Sequence, residues 1–180
     1  MELKEKILSS FMAFEEKIAD VNNDLHDIRT SAIKNFENKG FPTKKEEAWK
    51  YTSLNAILKN DFSVFAKKEN SVEFAEVKKY FLNEVDTYKV IFVDGKFSSH
   101  LSSTTHDGLD VCLMSSALNK PKYKMVIDEY FNKIANSDDS LTSLNTAFSQ
   151  EGAYVNIPKS KVVEKPIEII YFSTGSEVAL

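Results

Sequence analysis

The chain has 180 residues, 42% hydrophobic and 28% charged, with a formal net charge of −4. That supplies apolar material for one ordinary domain or two small ones, while the acidic balance gives no electrostatic footprint for nucleic acid. Its one cysteine, Cys112, excludes an intramolecular disulfide and a cysteine-only zinc site, and no apolar run approaches the ~20 residues that span a bilayer.

The N-terminal stretch MELKEKILSSFMAFEEKI mixes Glu with Lys and lacks a small-residue cleavage site, so it is not read as a secretory signal, and the chain reads as cytoplasmic. Leu3, Ile7, Leu8, Phe11, Phe14 and Ile18 recur at helical spacing. Asn22–Asn23–Asp24 breaks or caps before a second helix carrying Leu25, Ile28, Ala32, Ile33 and Phe36. Lys39, Gly40 in the left-handed C′ place and Pro42 mark the end of that helix. Thr43 and Glu46 are spaced as a capping box opening a short helix. Trp49 and Tyr51 are expected to fold back onto the preceding helices. Around Leu54–Leu58, in the ambiguous stretch to Phe65, a short helix or turn is expected. Asn70 and Glu73 form a second capping-box spacing, before a helix expected to bury Phe74, Val77 and Phe81.

Tyr88 to Val93 is β-branched and aromatic, and Asp94–Gly95 comes next as a hairpin turn with Lys96–Ser98 returning. Leu109, Val111 and Leu113 alternate as one face of a further strand. Tyr123, Ile127, Tyr130, Phe131 and Ile134 predict a helix to about Asn136. Asp138 or Asp139 then caps a helix with Leu141, Leu144, Ala147 and Phe148. After Gln150 come short β segments at Ala153–Ile157, Lys161–Glu164 and Ile167–Ser173, with Pro158 and Pro166 at strand starts or edges. The zones read as a helical region over 1–60, a mixed α/β region over 61–148 and an all-β beginning over 149–180.

Four motifs stand in order along the chain. The first comprises Gly40, Pro42, Thr43, Glu46, Glu47, Trp49, Lys50, Tyr51 and Thr52; the second is Val93, Asp94, Gly95 and Phe97. The third is Leu144, Asn145, Ala147 and Phe148, and the last runs through Gly152 to Glu164, Pro166 and Ile167. They resemble the SufD branch of the SufB/SufD family of iron–sulfur cluster assembly proteins. The resemblance implies a non-catalytic scaffold with an N-terminal helical domain leading into a right-handed parallel β-helix. It further implies pairing with a SufB-type subunit and a SufC-type ATPase, with sulfur reaching the assembly from a cysteine desulfurase system and clusters passing to acceptor proteins. No cofactor is expected on this region, since the cluster is handled by the whole assembly. The chain reads as an N-terminal fragment of such a protein, because it ends where the β-helix is expected to begin stacking.

The tempting residues have plainer explanations. Cys112 lies between Val111 and Leu113, as a small buried side chain in a strand would. His100, His106, Asp107 and Asp110 lie on one Ser/Thr-rich stretch, but their spacing matches no standard ligand arrangement, and exposed loop histidines are the expectation. Adjacent carboxylates at Glu46–Glu47 and Asp138–Asp139 point about 100° apart on a helix and suit capping instead. The lysines at 44–45 and at 120, 122 and 124 read as solvated faces. Trp49–Lys50–Tyr51 keeps two readings, packing or partner contact.

The expected fold is therefore α+β: helices, a mixed middle and the first strands of a β-helix. The apolar run Ile169–Phe172 is expected to gain protection from the chain's own helices or from a second chain, as in a homodimer. The alternatives are a small-molecule or metal-dependent enzyme using the His100–Asp110 loop, and an unrelated β-solenoid binding domain.

Overall fold

A computed structural model describes residues 2–18, 25–60, 62, 72–103, 108–135, 138–149 and 152–174. The expectations at Asn22–Asp24, Phe65, Asn70, His106, Asp107, Asn136 and Gln150 fall outside the described residues. The helices are α1 (Leu3–Ile18), α2 (His26–Lys39), α3 (Asn55–Leu58), α4 (Phe74–Lys78), α5 (Met114–Leu118), α6 (Pro121–Tyr130) and α7 (Ser140–Ala147). The strands are β1 (Tyr88–Val93), β2 (Lys96–Phe97), β3 (Asp110–Leu113), β4 (Ala153–Asn156) and β5 (Ile167–Phe172). The chain forms two discontinuous units, residues 1–64 with 118–150 and residues 65–117 with 151–180.

In the first unit, α1 buries Leu3, Ile7, Phe11, Phe14 and Ile18, the stripe its spacing predicts, with Leu8 half-buried. Helix α2 buries Ala32, Ile33 and Phe36, and among them Arg29, which is 1% exposed. The Arg29 guanidinium donates to the Glu15 carboxylate on α1, whose other oxygen engages His26. Such a pair ties two helices together because loss of either charge strands the other in the interior.

Helix α7 runs antiparallel to α2. Lys39 at the end of α2 donates to the Asp138 backbone oxygen at 2.7 Å, and Asn35 Nδ2, one turn earlier, donates to Ser143 Oγ at 2.7 Å. The fully buried residues of α7 include Ser140, Ser143 and Ala147, while Leu141, Leu144 and Phe148 are half-buried. Small side chains on the packed face let two helix backbones approach, which an apolar-stripe reading does not register. Phe148 meets Phe11 edge-on at 5.8 Å and Phe14 at 5.1 Å. Asp139 is the cap: its Oδ2 accepts from Thr142 N–H at 2.7 Å.

Helix α6 opens with Pro121 at its first turn, where a missing N–H is harmless. It stops at Tyr130, short of the expected Asn136. Phe131 turns extended and Asn132 takes φ 58°, a conformation asparagine tolerates, which leaves Ile134 84% exposed.

The second unit holds a sheet of order β2-β1-β5 and a ribbon of β3 antiparallel to β4. The β1–β2 hairpin turns through Asp94 (φ 46°) and Gly95 (φ 80°), the two successive positive angles of a type I′ turn. Strand β5 adds to the other side of β1 in parallel, from Tyr88↔Ile167 to Val93↔Phe172. Ile91 and Val93 join Val72, Val77, Phe81 and Leu101 in a core against which Ile170 and Phe172 are partly buried. On the opposite face Ile169 is 46% and Tyr171 71% exposed. Protection of the terminal apolar run thus comes from a strand along one edge and the α4 core on one face, and it is partial.

Two polar devices fasten β5. Glu168, 9% exposed, accepts from Leu82 N–H at 2.9 Å and from the Thr87 hydroxyl at 2.7 Å, with Lys89 Nζ 3.9 Å away. Asp94 accepts from Thr174 N–H and from its hydroxyl, both at 2.9 Å.

Several expectations need correction. Lys161–Glu164 is no strand: the chain turns just before it, where Lys161 N–H closes onto the Pro158 carbonyl and Ser160 has φ 66°, and the segment joins neither sheet. Phe74 is 49% exposed, against an expectation of burial, and meets the core residue Phe81 edge-on at 5.7 Å. All four residues of β3 are half-buried, so its alternation separates no buried face, and Cys112 is half-buried rather than enclosed. Stacked β-helix coils are not seen among the described residues; the α+β class holds, as helices with two small sheets.

The Asp139 cap and the Glu168 network each carry a measurable share of stability. The Thr142 hydroxyl and the Thr142 and Leu141 amides hold the Asp139 carboxyl below its ordinary value. A lowered carboxylate stabilises the fold above its unfolded value of about 3.9 and loses that contribution as pH falls through the folded value. Asp139→Ala should therefore cost about 1 kcal/mol in urea unfolding at pH 7, with the difference from wild type shrinking toward pH 2. Glu168→Ala should cost roughly 3 kcal/mol, since it strands a backbone donor and a lysine beside it; an unchanged urea midpoint would contradict that network.

Candidate functional site

The densest motif, Gly40 to Leu54, forms an outward turn on the first unit. Gly40 N–H donates to the Phe36 carbonyl at 2.7 Å and closes α2. Its φ of 70° is positive as expected, but ψ of −162° is mirror-extended rather than left-handed helical, a region open essentially to glycine. Space is not the constraint, because the atoms nearest a Cβ there belong to the Lys4 side chain, from 3.6 Å, which is ordinary contact. Phe41 packs edge-on to Phe36 at 5.1 Å, and Pro42 is buried.

Thr43 N–H donates to Glu46 Oε1 at 2.8 Å, the backward half of the expected capping box. The Thr43 hydroxyl instead accepts from Lys45 N–H at 3.3 Å, and the next element is a single 3₁₀ turn, Glu47–Trp49, not an α-helix. Trp49 is half-buried. Tyr51 is 89% exposed, which corrects the expectation that it folds back onto the helices. Lys50 Nζ stands 5.5 Å from the Tyr51 ring, a cation–π distance. Ile57 on α3 is 50% exposed, and Lys44, Lys45 and Glu47 are exposed as well. Gly40, Pro42, Thr43 and Glu46 therefore build the turn, and Lys50 and Tyr51 stand on its outside.

The remaining motif residues do not join them. Asn145 is exposed on α7 of the same unit. Gly152 and Pro166 belong to the second unit, where their carbonyls accept from Met114 and Tyr88 N–H, each at 2.9 Å. A Cβ on Gly152 would meet nothing within 4 Å, so its immediate surroundings do not demand glycine.

The second unit contains a cavity of about 240 Å³ lined by Lys89, Phe97, Ser102, Ser103, Cys112 and Ala153, among others. Sequence reading missed it, because the lining comes from segments that only the fold brings together. Its serines stitch backbone: Ser102 Oγ accepts from Ile91 N–H at 2.9 Å and Ser103 Oγ from Lys89 N–H at 2.8 Å. Tyr154 pairs with Cys112 across the ribbon; burial first, then the nearby Cys112 and Asp110, push its phenol up. His100 is committed too, with Nδ1 3.1 Å from Ser98 Oγ and Nε2 3.3 Å from the Val72 carbonyl oxygen. Asp110 accepts from Asn156 Nδ2 at 3.1 Å. Among the described residues no three His, Cys, Asp or Glu side chains converge as a metal site, and no helix is long and apolar enough to cross a membrane.

If the turn depends on the mirror-extended glycine, Gly40→Ala should lower stability by about 1–3 kcal/mol. Chemical denaturation measures this directly, and an unchanged midpoint would mean that the turn relaxes without cost.

Comparison with known proteins connects this geometry to a family. A family model described as the SufBD protein N-terminal region matches residues 1–169. An iron-sulfur cluster assembly SufBD family protein of Synechocystis sp. is 24% identical over 132 residues, covering 73% of this chain. The chain corresponds to 29% of that relative's length.

Proposed function

Because this chain belongs to the SufBD family, we propose that it serves iron–sulfur cluster assembly as the N-terminal region of a non-catalytic scaffold, of the SufD type. The match over residues 1–169 carries the reading, and the named role of the Synechocystis relative supports it. In the whole protein the partners would be a SufB-type subunit and a SufC-type ATPase, with sulfur-donor or acceptor proteins as further contacts. Iron–sulfur clusters enter as cargo of that assembly.

The contact surface we assign to this region is the turn bearing Trp49, Lys50 and Tyr51. Tyrosine and tryptophan are favoured anchors because they offer large rigid area at little entropic cost. A tyrosine 89% exposed on a turn fixed by Gly40, Pro42 and the Thr43–Glu46 bond, its ring met locally by Lys50 Nζ, offers such an anchor. The parallel addition of β5 to β1 supports the further reading that a β-helix continues in longer members, since such a solenoid grows by parallel pairing.

The test is binding of purified SufB-type, SufC-type and sulfur-donor proteins to the chain by calorimetry. Tyr51→Ala should weaken binding of one of them about tenfold or more while leaving the circular dichroism spectrum and urea midpoint intact. Equal binding by wild type and variant would remove the turn from the contact surface. Failure of all partners to bind the folded chain would count against the scaffold reading for this region.

A further inference from the structure

Helix α6 is arranged against its own stability. Lys120, Lys122 and Lys124 crowd its N-terminal end, where the helix dipole is positive, and Asp128 and Glu129 occupy its last turn, where it is negative. The internal Lys124–Asp128 pair, at 3.4 Å, runs in the weaker order with the cation first. Burial does not compensate, for Ile127 is the one buried residue of the helix.

The exposed side of α6 explains this layout. Lys122, Met125, Val126 and Glu129 fall at i, i+3, i+4 and i+7, which is a single stripe. Met125 is 73% and Val126 38% exposed, and Lys122 and Glu129 are exposed. Locally, Lys122 Nζ rests 5.4 Å from the Tyr123 ring, and the adjacent Glu129 pushes the Tyr130 phenol up. The stripe is basic at one end, apolar in the middle and acidic at the other. A two-fold axis through Met125 and Val126 turns it onto its own complement: lysine meets glutamate at both ends and the apolar pairs meet between them. Parallel pairing would set lysine on lysine.

We propose that α6 is a self-association surface whose occupant is the α6 of a second copy of this chain, packed antiparallel. Two helices of this length bury well under the roughly 1,000 Å² of a standard interface, so the association is weak, concentration-dependent and salt-sensitive. It is independent of the contact assigned to the Tyr51 turn.

Sedimentation velocity on the full chain from ~10 μM to ~1 mM, at low and high salt, tests it. Wild type should self-associate at low salt and dissociate at high salt. Lys122→Glu and Glu129→Lys should each weaken association about tenfold or more, because each creates two like-charge contacts per dimer. The double reversal should restore it to within about threefold. The double variant also agrees with the helix dipole, so its melting temperature should not fall, and misfolding then cannot account for the single-variant losses. A monomer at every concentration would overturn the proposal. So would single reversals without effect, which would place self-association on another surface such as the free side of β5, or a double variant that fails to recover.

Discussion

The second unit depends on the parallel seating of β5 on β1. Strand β1 is central, with β2 on one side and β5 on the other, and its Ile91 and Val93 supply the middle of the apolar core. Seating β5 brings Ile170 and Phe172 onto that core and carries the buried Glu168 to Leu82, Thr87 and Lys89. A register slip of one residue would drive Glu168 to the exposed face and present Ile169 and Tyr171 to the core. The polar network around Glu168 and the Asp94–Thr174 bonds thus act as register marks, fixing the face that the apolar pattern alone leaves open in a run with isoleucines side by side.

Local signals explain why much of this was legible in the residues. The helical stripes of α1 and α2, the Asp94–Gly95 turn, the Asp139 cap and the strands at 88–93 and 167–172 rest on spacing and turn chemistry within a few positions. The illegible part involves partners far apart in sequence. Nothing near Ser143 announces that it will meet Asn35, and nothing near Ile167 names Tyr88 as its neighbour. Arg29 was invisible as an interior residue because its burial requires Glu15 from another helix. The exposures of Tyr51, Phe74 and Ile134 run in the opposite sense, since apolar character predicts burial and these three side chains face solvent.

The candidate site divides in the same way. The turn built by Gly40, Pro42, Thr43 and Glu46 could be read residue by residue, because glycine geometry and the bond from Thr43 N–H to the Glu46 side chain are local constraints. The cavity beside Cys112 could not, since its walls come from four separate segments. Ser102 and Ser103 of that cavity hold backbone amides and the ring nitrogens of His100 lie against Ser98 and Val72, so these polar groups are engaged in maintaining the fold. Exposed aromatic and apolar side chains on the turn and on α6 are, by contrast, the features left facing outward.

Residue-resolved amide exchange across β5 tests the central pairing most directly. Tyr88 and Asp94 donate to the carbonyls of Pro166 and Phe172, so the two-residue alternation of a parallel ladder aims the amides of Glu168, Ile170 and Phe172 at β1. Those three should exchange slowly, while Ile169 and Tyr171, directed away from β1, exchange fast. Uniformly fast exchange would show that β5 is not seated on β1, and uniformly slow exchange would show that its outer edge is covered.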